Sequence, residues 1–555
     1  MTAAAHTDVN DLAQALLECN LDAEPLEGTL MGFREYDDRL ADLSLEAERS
    51  HANAQHVIRD EAAAIDPGSL TAQDALTRSV ILSSVGYADD ARFADQLAFT
   101  VAAFPVSPAS VLLAYLRMIV VTNDDEARAY LARLGSIPAY LEQSTQRLAL
   151  GRADGVTPVA HLVTMAIEQI EHALAAPASP FSLELPEAFL DEQAILIDEV
   201  VNPAFARYAQ MLRSEVLPSS RDNDHAGLVH LPGGLARYEA LIRVHTTTDR
   251  TAAQLHELGL TLVSNIHDEF RALGRQLFGL DDVVEIFARL QSDPDLRWEN
   301  EGQIIAAAEQ TVRRAEAASV EWFGTLPKAT CVLETIPELE AASAAPAYYM
   351  PPSFDGTRPG TYFTNVNEPT ERTSFDLESV AFHEAVPGHH FQISLAMELE
   401  DLPTLRKLAG FTAYVEGWGL YSERLADEMG LYSSPLQRMG MLSADAWRAA
   451  RLVVDTGLHA YGWSRETAIE YLLASAPLAP IDAVAEIDRY IAYPGQALSY
   501  MTGRLEIQRL RASAEQALGD AFSIAAFHDV ILGSGALPLD VLAELVDEWI
   551  SRQRA

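Results

Sequence analysis

Apolar residues return at three- and four-residue steps along nearly the whole sequence. This spacing gives each segment one apolar stripe when it forms a helix. Clear examples are DLAQALLE, RFADQLAFTVAAF, VAHLVTMAIEQIEHALA and TAAQLHELGLTLVSNIHDEFRAL. The pattern predicts a mostly α-helical fold. A chain of 555 residues is long enough to enclose a large apolar core and still leave a central cleft.

Two clusters of helix-breaking residues interrupt this pattern. One ends at Pro180, and the other, Pro232-Gly233-Gly234, follows the polar run SSRDNDH. Neither resembles a flexible interdomain linker. We therefore predict one continuous unit, with an N-terminal helical part over residues 1–230 and a second helical part, which carries the motif described below, over residues 231–555.

One segment departs from the helical period. Residues 347–366, AYYMPPSFDGTRPGTYFTNV, are rich in proline, glycine and aromatic residues and contain a β-prone run at Thr361 to Asn365. This composition predicts a loop that leads into an edge strand, the single small β element of the fold. An edge strand of this kind can pair with an extended peptide.

The charge balance excludes several classes of partner. The sequence has 39 Lys and Arg against 81 Asp and Glu, a formal net charge of −42. Nucleic acid and membrane partners are not expected, because both are bound through clustered cations. Cys19 and Cys331 lie far apart and imply neither a disulfide nor a thiolate metal site. No signal-like or membrane-spanning apolar run is seen, so we expect a soluble, cytoplasmic protein.

The segment HEAVPGHH, which begins at His383, carries the strongest chemical signal. In an HExxH helix, two histidines four residues apart bind zinc and the glutamate activates water. Here the position four after His383 is Pro387, and the next histidines are His389 and His390. A Pro-Gly pair forces a helix to bulge or kink, which can return a later histidine to His383. His389 needs the smaller distortion and is favoured, with His390 as the alternative.

A catalytic zinc site needs a third protein ligand and a position for water. Glu416 follows at a distance sufficient for one helix, a turn and the start of the next, so it is the first candidate. Glu423 lies two turns further on the same face and is the alternative ligand, or a partner of a ligating imidazole. Glu384 is the candidate general base. Five other histidines stand singly in helical segments and are expected to be structural: His161, His172, His245, His256 and His267.

The motifs around HEAVPGHH resemble the DUF885 family of bacterial proteins, which are similar to zinc metallopeptidases of the HExxH, gluzincin-like type. The resemblance rests, in chain order, on PPSFDGTRPGTYFTN, HEAVPGHHFQ, EGWGLYSERLADEMG, RAARLVVDTGLHAYGWSRETAIEYL and YPGQALSYMTGRLEIQRLRASAE. It is strong over residues 230–550 and looser before them. It implies a large helical, metallopeptidase-like body with a cleft, His383 and Glu416 as ligands, and Glu384 as general base.

The resemblance also implies a tyrosine opposite the metal. Tyr493 and Tyr500, which flank PGQALS, are the candidates to donate a hydrogen bond to the oxyanion of the reaction. Arg451, Asp455 and His459 follow one another at four-residue steps on one predicted helix. They are expected to form a network behind the site, an oxyanion contact, or a structural salt-bridge ladder.

These features predict a Zn²⁺-dependent hydrolase in which His383, His389 and Glu416 hold the metal. A carboxypeptidase- or dipeptidase-like peptidase acting on a peptide or small amide is the first interpretation. Two alternatives stay open. One is hydrolysis of a small non-peptide amide or ester, and the other is a catalytically silent helical binding protein whose histidines carry no metal. The oligomeric state is not indicated.

Overall fold

The computed structural model describes residues 8–337, 345–354 and 358–555. Residues 355–357 of the predicted loop therefore lie outside the described residues. The chain is 72% helical and has one small three-stranded sheet. The prediction of a mostly α-helical fold with a small β element is confirmed.

The helices before the sheet cover most of the first 322 residues. They are α1 (Val9–Ala23), α2 (Pro25–Met31), α3 (Leu45–Ala64), α4 (Ala72–Ala94), α5 (Pro108–Tyr115), α6 (Asp124–Ala153), α7 (Ala160–Ala175), α8 (Leu190–Leu196), α9 (Asn202–Met211), α10 (Gly234–Thr246), α11 (Ala252–Leu277), α12 (Val283–Ser292) and α13 (Glu301–Trp322).

Polar side chains at the helix starts explain several of these bounds. Thr251 precedes α11 and forms a reciprocal capping box with Gln254, in which each side chain accepts a backbone N–H of the other residue. Asn123 accepts from two backbone N–H groups at the start of α6. The helical period and these caps together set where the helices begin.

The helices after the sheet carry the motif. They are α14 (Leu377–Glu384), α15 (His389–Glu398), α16 (Thr404–Leu408), α17 (Thr412–Glu428), α18 (Pro435–His459), α19 (Arg465–Ser475), α20 (Pro480–Ala492), α21 (Ser499–Leu518), α22 (Ile524–Leu532) and α23 (Leu539–Arg554). Helix α17 packs along α21, and α18 packs along α11. Helix α14 lies against both α17 and α18.

The sheet has the order β1-β3-β2, formed by Val332–Thr335 (β1), Thr361–Thr364 (β3) and Ala347–Met350 (β2). Strand β3 runs parallel to β1 and antiparallel to β2. The prediction of a single edge strand at Thr361 to Asn365 is therefore wrong, because the β-prone run forms the central strand. Four-residue strands are too short to show a clear alternation, which is why β1 and β2 escaped sequence analysis.

Apolar clusters join the two predicted parts of the chain. Val85 from α4 and Trp549 from α23 belong to one cluster, and Leu228 and Leu442 belong to another. A third cluster lies wholly within the N-terminal part. Within the described ranges, none of the helices combines the length and the apolar character needed to span a bilayer.

Candidate metal centre

The helix break at HEAVPGHH is sharper than the predicted bulge or kink. Helix α14 ends at Glu384, a cis peptide bond joins Val386 to Pro387, and a separate helix begins at His389. The indole Nε1 of Trp418 donates a 2.8 Å hydrogen bond to the carbonyl oxygen of Pro387, which ties the connection to α17. The predicted consequence is observed, since the rings of His383 and His389 have centroids 4.7 Å apart.

Gly388 makes this tight connection possible. A Cβ atom at this position would lie 1.8 Å from the carbonyl oxygen of His383 and 2.4 Å from that of Phe382. Both obstacles are backbone atoms, so a side chain can be accommodated only if the helix end shifts. Glycine is therefore required here by the close approach of two backbone segments.

Gly388→Ala is expected to destabilise the protein by about 1–3 kcal/mol, the usual cost of overpacking. The measurement is the free energy of unfolding in chemical denaturant. Gly410→Ala is the matched control, because a Cβ atom there meets nothing within 4 Å. Equal stability of the two variants would contradict the packing argument.

Three predicted ligands converge at the break. His383, His389 and Glu416 each offer a ligand atom, and these atoms lie within 4.8 Å of one another. Oε2 of Glu416 is 3.5 Å from Nε2 of His383 and 3.6 Å from Nε2 of His389. Two atoms bound at about 2.0–2.1 Å to a tetrahedral zinc ion would be about 3.3–3.4 Å apart. The spacing of the donors fits one such ion.

His390 is engaged elsewhere. Its Nε2 donates to the carbonyl oxygen of Ala329 at 3.1 Å, and its Nδ1 is 3.0 Å from the hydroxyl of Tyr349. A carbonyl only accepts, so Nε2 carries the proton and Nδ1 accepts from the tyrosine. Both ring nitrogens are thereby occupied. The structure brings His389, and not His390, to His383.

Glu423 orients a ligand. Its Oε1 lies 2.8 Å from Nδ1 of His383, and its Oε2 accepts a 2.6 Å hydrogen bond from Ser379. A carboxylate accepts, so Nδ1 is the protonated nitrogen and Nε2 is left for the cluster. Sequence analysis missed Ser379, although its place four residues before His383 puts it on the same helix face.

Glu423→Ala is expected to weaken zinc binding about 10–100-fold, as loss of an imidazole's hydrogen-bond partner does in other metal sites. The measurement is a competition titration with a zinc chelator. Glu428→Ala, on the same helix but paired with Arg511 at the surface, serves as the control. Unchanged affinity in Glu423→Ala would contradict the orienting role.

The three ligands also perturb one another. Burial by itself lowers the pKa of His383, but hydrogen bonds with Glu416 and Glu423 outweigh it and raise the pKa to about 9. Burial alone would raise the pKa of Glu416, yet its contacts with His383 and His389 hold that pKa well below its usual range. The carboxylates thus favour a positive charge at Nε2 of His383, which a proton or a metal ion can supply.

Glu384 lies beside the cluster but is not part of it. It is the half-buried last residue of α14. Within the part of the chain that the structure describes, its carboxylate makes no hydrogen bond or ion pair. Burial and, after it, the charge of Glu384 raise the pKa of Tyr362 on β3. The charge of Glu384 thus acts on the neighbouring strand β3.

The two predicted tyrosines differ in their surroundings. Burial and then the charge of Glu416 raise the pKa of Tyr500. Its helix α21 touches α17 next to Glu416, since a Cβ atom on Gly417 would lie 2.5 Å from Cα of Gly503. The Tyr493 ring packs edge-on against His245, with centroids 4.9 Å apart. Among the described residues, neither ring nitrogen of the buried His245 has a hydrogen-bond partner. Tyr500 is thus the tyrosine beside the candidate ligands.

Among the described residues, Arg451, Asp455 and His459 form no ion pair with one another, so the alternative of a salt-bridge ladder is wrong. Their partners lie on neighbouring helices: Asp455 binds Tyr238 on α10, and both Arg451 and His459 bind Tyr490 on α20. Asp455 accepts from the hydroxyl of Tyr238 at 2.5 Å, and Nε2 of His459 donates to the backbone oxygen of Tyr490 at 3.1 Å. Burial raises the pKa of Asp455 to about 7 and lowers that of His459 to about 3. Arg451 binds the Tyr490 hydroxyl through Nε.

The fold and the site define a large helical protein with a candidate metal centre of two histidines and one glutamate. Its sequence matches the family model described as "Bacterial protein of unknown function (DUF885)" over residues 25–546. The chain belongs to the DUF885 family.

Two solved structures share this fold. "The putative lipoprotein from Colwellia psychrerythraea" is 27% identical, with a TM-score of 0.91, and the match covers 98% of this chain and 100% of that one. "A putative lipoprotein of unknown function from Shewanella oneidensis" is 18% identical, with a TM-score of 0.76 and coverage of 97% and 99%. No curated protein matches the chain.

Proposed function

We propose that this protein is a zinc-dependent hydrolase that cleaves peptide bonds, in the manner of a carboxypeptidase or dipeptidase. The observation that carries the proposal is the convergence of His383, His389 and Glu416, with donor atoms at distances that suit one tetrahedral ion. Two imidazoles and a carboxylate leave one position of a four-coordinate zinc ion free, as catalytic sites do and structural sites do not.

His383, His389 and Glu416 would hold the zinc ion, which when bound would supply Lewis acidity to lower the pKa of water and polarise a carbonyl group. The chain supplies the proton transfers. Glu384, adjacent in sequence to a ligand, accepts the proton of the attacking water and returns it to the leaving amine. Tyr500 donates a hydrogen bond from its hydroxyl group to the substrate oxygen that gains negative charge. Glu423 holds His383 in the tautomer that leaves Nε2 without a proton.

Metal analysis of the purified protein tests the proposal first. We expect about one zinc ion per chain, the stoichiometry of a single three-ligand site. Cleavage is then measured on peptides with free or blocked ends, together with small amides and esters. Cleavage of the amides or esters alone would support the non-peptide alternative. Absence of both zinc and cleavage would support the silent binding protein.

The cytoplasmic location stays a proposal. The two structural neighbours are described as putative lipoproteins, which would place those proteins at a membrane surface. Fractionation of the source cells, followed by detection of the chain, distinguishes the two locations. Recovery in the membrane fraction would contradict the cytoplasmic proposal.

A further inference from the structure

In a cluster of charged residues around Arg451, arginine side chains outnumber the carboxylates that they contact. Arg451 and Arg489 both contact the carboxylate of Glu486, at 3.2 and 2.8 Å. Two guanidinium groups thus share one carboxylate. The whole chain has twice as many acidic as basic residues, so its composition does not account for this surplus.

One guanidinium has an unused edge. Arg451 is only 3% exposed; its Nε donates to the Tyr490 hydroxyl and its Nη2 donates to Glu486. Its buried Nη1 has no hydrogen-bond partner among the described residues. An unpaired buried donor on a charged group is costly, and a ligand that paired with it would remove that cost.

Aromatic rings hold this guanidinium in place. Its Cζ lies 4.5 Å from the ring centroid of Trp447 and 4.3 Å from that of Tyr500. Stacking on ring faces fixes the plane of an arginine and leaves its N–H edge for a planar, negatively charged partner. A carboxylate matches that edge through two parallel hydrogen bonds.

Tyr500 links this cluster to the metal centre. Its ring stacks on the Arg451 guanidinium, and its helix α21 touches α17 next to Glu416, where a Cβ atom on Gly417 would lie 2.5 Å from Cα of Gly503. The unpaired guanidinium edge and the candidate ligands are therefore connected through Tyr500 and the contact between α17 and α21. A peptide whose scissile bond is at the metal could reach both with its last residue.

We propose that Arg451 binds a carboxylate of the substrate, which in a peptide is the C-terminal carboxylate. The inference rests on the proposed hydrolase function and deepens it, because it assigns the specificity of a carboxypeptidase. A glutamate side chain offers the same chemistry, so the test separates the two sources.

Binding to the metal-free protein is measured first, because zinc would itself bind a carboxylate. The probes for calorimetry are N-acetylphenylalanine, its C-terminal amide, and N-acetylglutamate α-amide. We expect the first to bind and the phenylalanine amide not to bind. Binding of the glutamate derivative alone, or equal binding of the phenylalanine acid and amide, would overturn the terminal-carboxylate assignment.

Variants identify the group responsible. Arg451→Gln is expected to weaken binding of N-acetylphenylalanine on the order of 100-fold, as loss of one partner of a buried charge pair does. Arg451→Lys keeps the charge but lacks the planar fork, and it should retain part of the affinity. Arg451→Lys also replaces Arg451→Gln as the test variant if the glutamine variant does not fold. Arg133→Gln is the matched control, since Arg133 is equally buried and also has an unpaired Nη1.

Cleavage by the zinc-loaded protein is the second readout. Arg451→Gln should lower kcat/KM by a larger factor for peptides with a free C-terminus than for the same peptides with a C-terminal amide. Equal losses on both would overturn the inference while the hydrolase stands. If the protein binds N-acetylphenylalanine through Arg451 but cleaves no peptide, the hydrolase proposal is contradicted and the carboxylate site still stands.

Discussion

Glu384→Gln is expected to lose nearly all turnover while the protein keeps its zinc. Glutamine has the size of glutamate but does not accept a proton, so the step assigned to this residue fails. General-base catalysis contributes about 10²–10⁴-fold to rates, and the loss in kcat should fall in that range. Metal content should not change, because Glu384 lies outside the group formed by His383, His389 and Glu416.

Zinc content and steady-state kinetics on the same preparation provide the measurement. Glu384→Asp is the graded control, because it retains a carboxylate but withdraws it by one methylene group, and its activity should be intermediate. An active Glu384→Gln enzyme would remove this residue from the mechanism. Loss of zinc in the same variant would instead make Glu384 a ligand.

The approach of His389 to His383 was predictable because its cause is local. One helix ends at Glu384, just before Pro387 and Gly388, and the next begins at His389, so the two imidazole rings lie close together. Glu416 was predicted from a spacing of one helix and a turn, but the structure has a further short helix, α16, before the helix that carries it. The sequence favoured His389 and left His390 open, because the position of His390 depends on Ala329 and Tyr349, which contact it from far upstream.

The carboxylate-binding cluster was not predictable, because its members come from distant segments. The four-residue steps of Arg451, Asp455 and His459 indicated one helix face, but their partners are on other elements. Glu486 lies 35 residues from Arg451 in sequence and contacts it only after α20 packs against α18. The three-stranded sheet was not predicted from the sequence for the same reason, since β1 pairs with a strand almost 30 residues later.

His389→Ala is expected to lose zinc, whereas His390→Ala is expected to keep it. His389 supplies one of the three donor atoms. Loss of a hydrogen-bond partner of a ligand weakens metal binding by up to about 100-fold, and loss of the ligand itself should weaken zinc binding by more than that. The measurement is zinc per chain after dialysis, with chelator competition for any residual affinity. Activity should fall in parallel with metal content.

His390→Ala is the matched control, because it removes the same side chain one residue away. Its cost should be stability, about 1–3 kcal/mol, since Tyr349 and the Ala329 carbonyl lose their buried partner. The pair of variants therefore separates metal binding from packing within one motif. If zinc were retained in His389→Ala and lost in His390→Ala, His390 would be the ligand and His389 would not. The connection between α14 and α15 would then need a conformation other than the one in which the His383 and His389 ring centroids lie 4.7 Å apart.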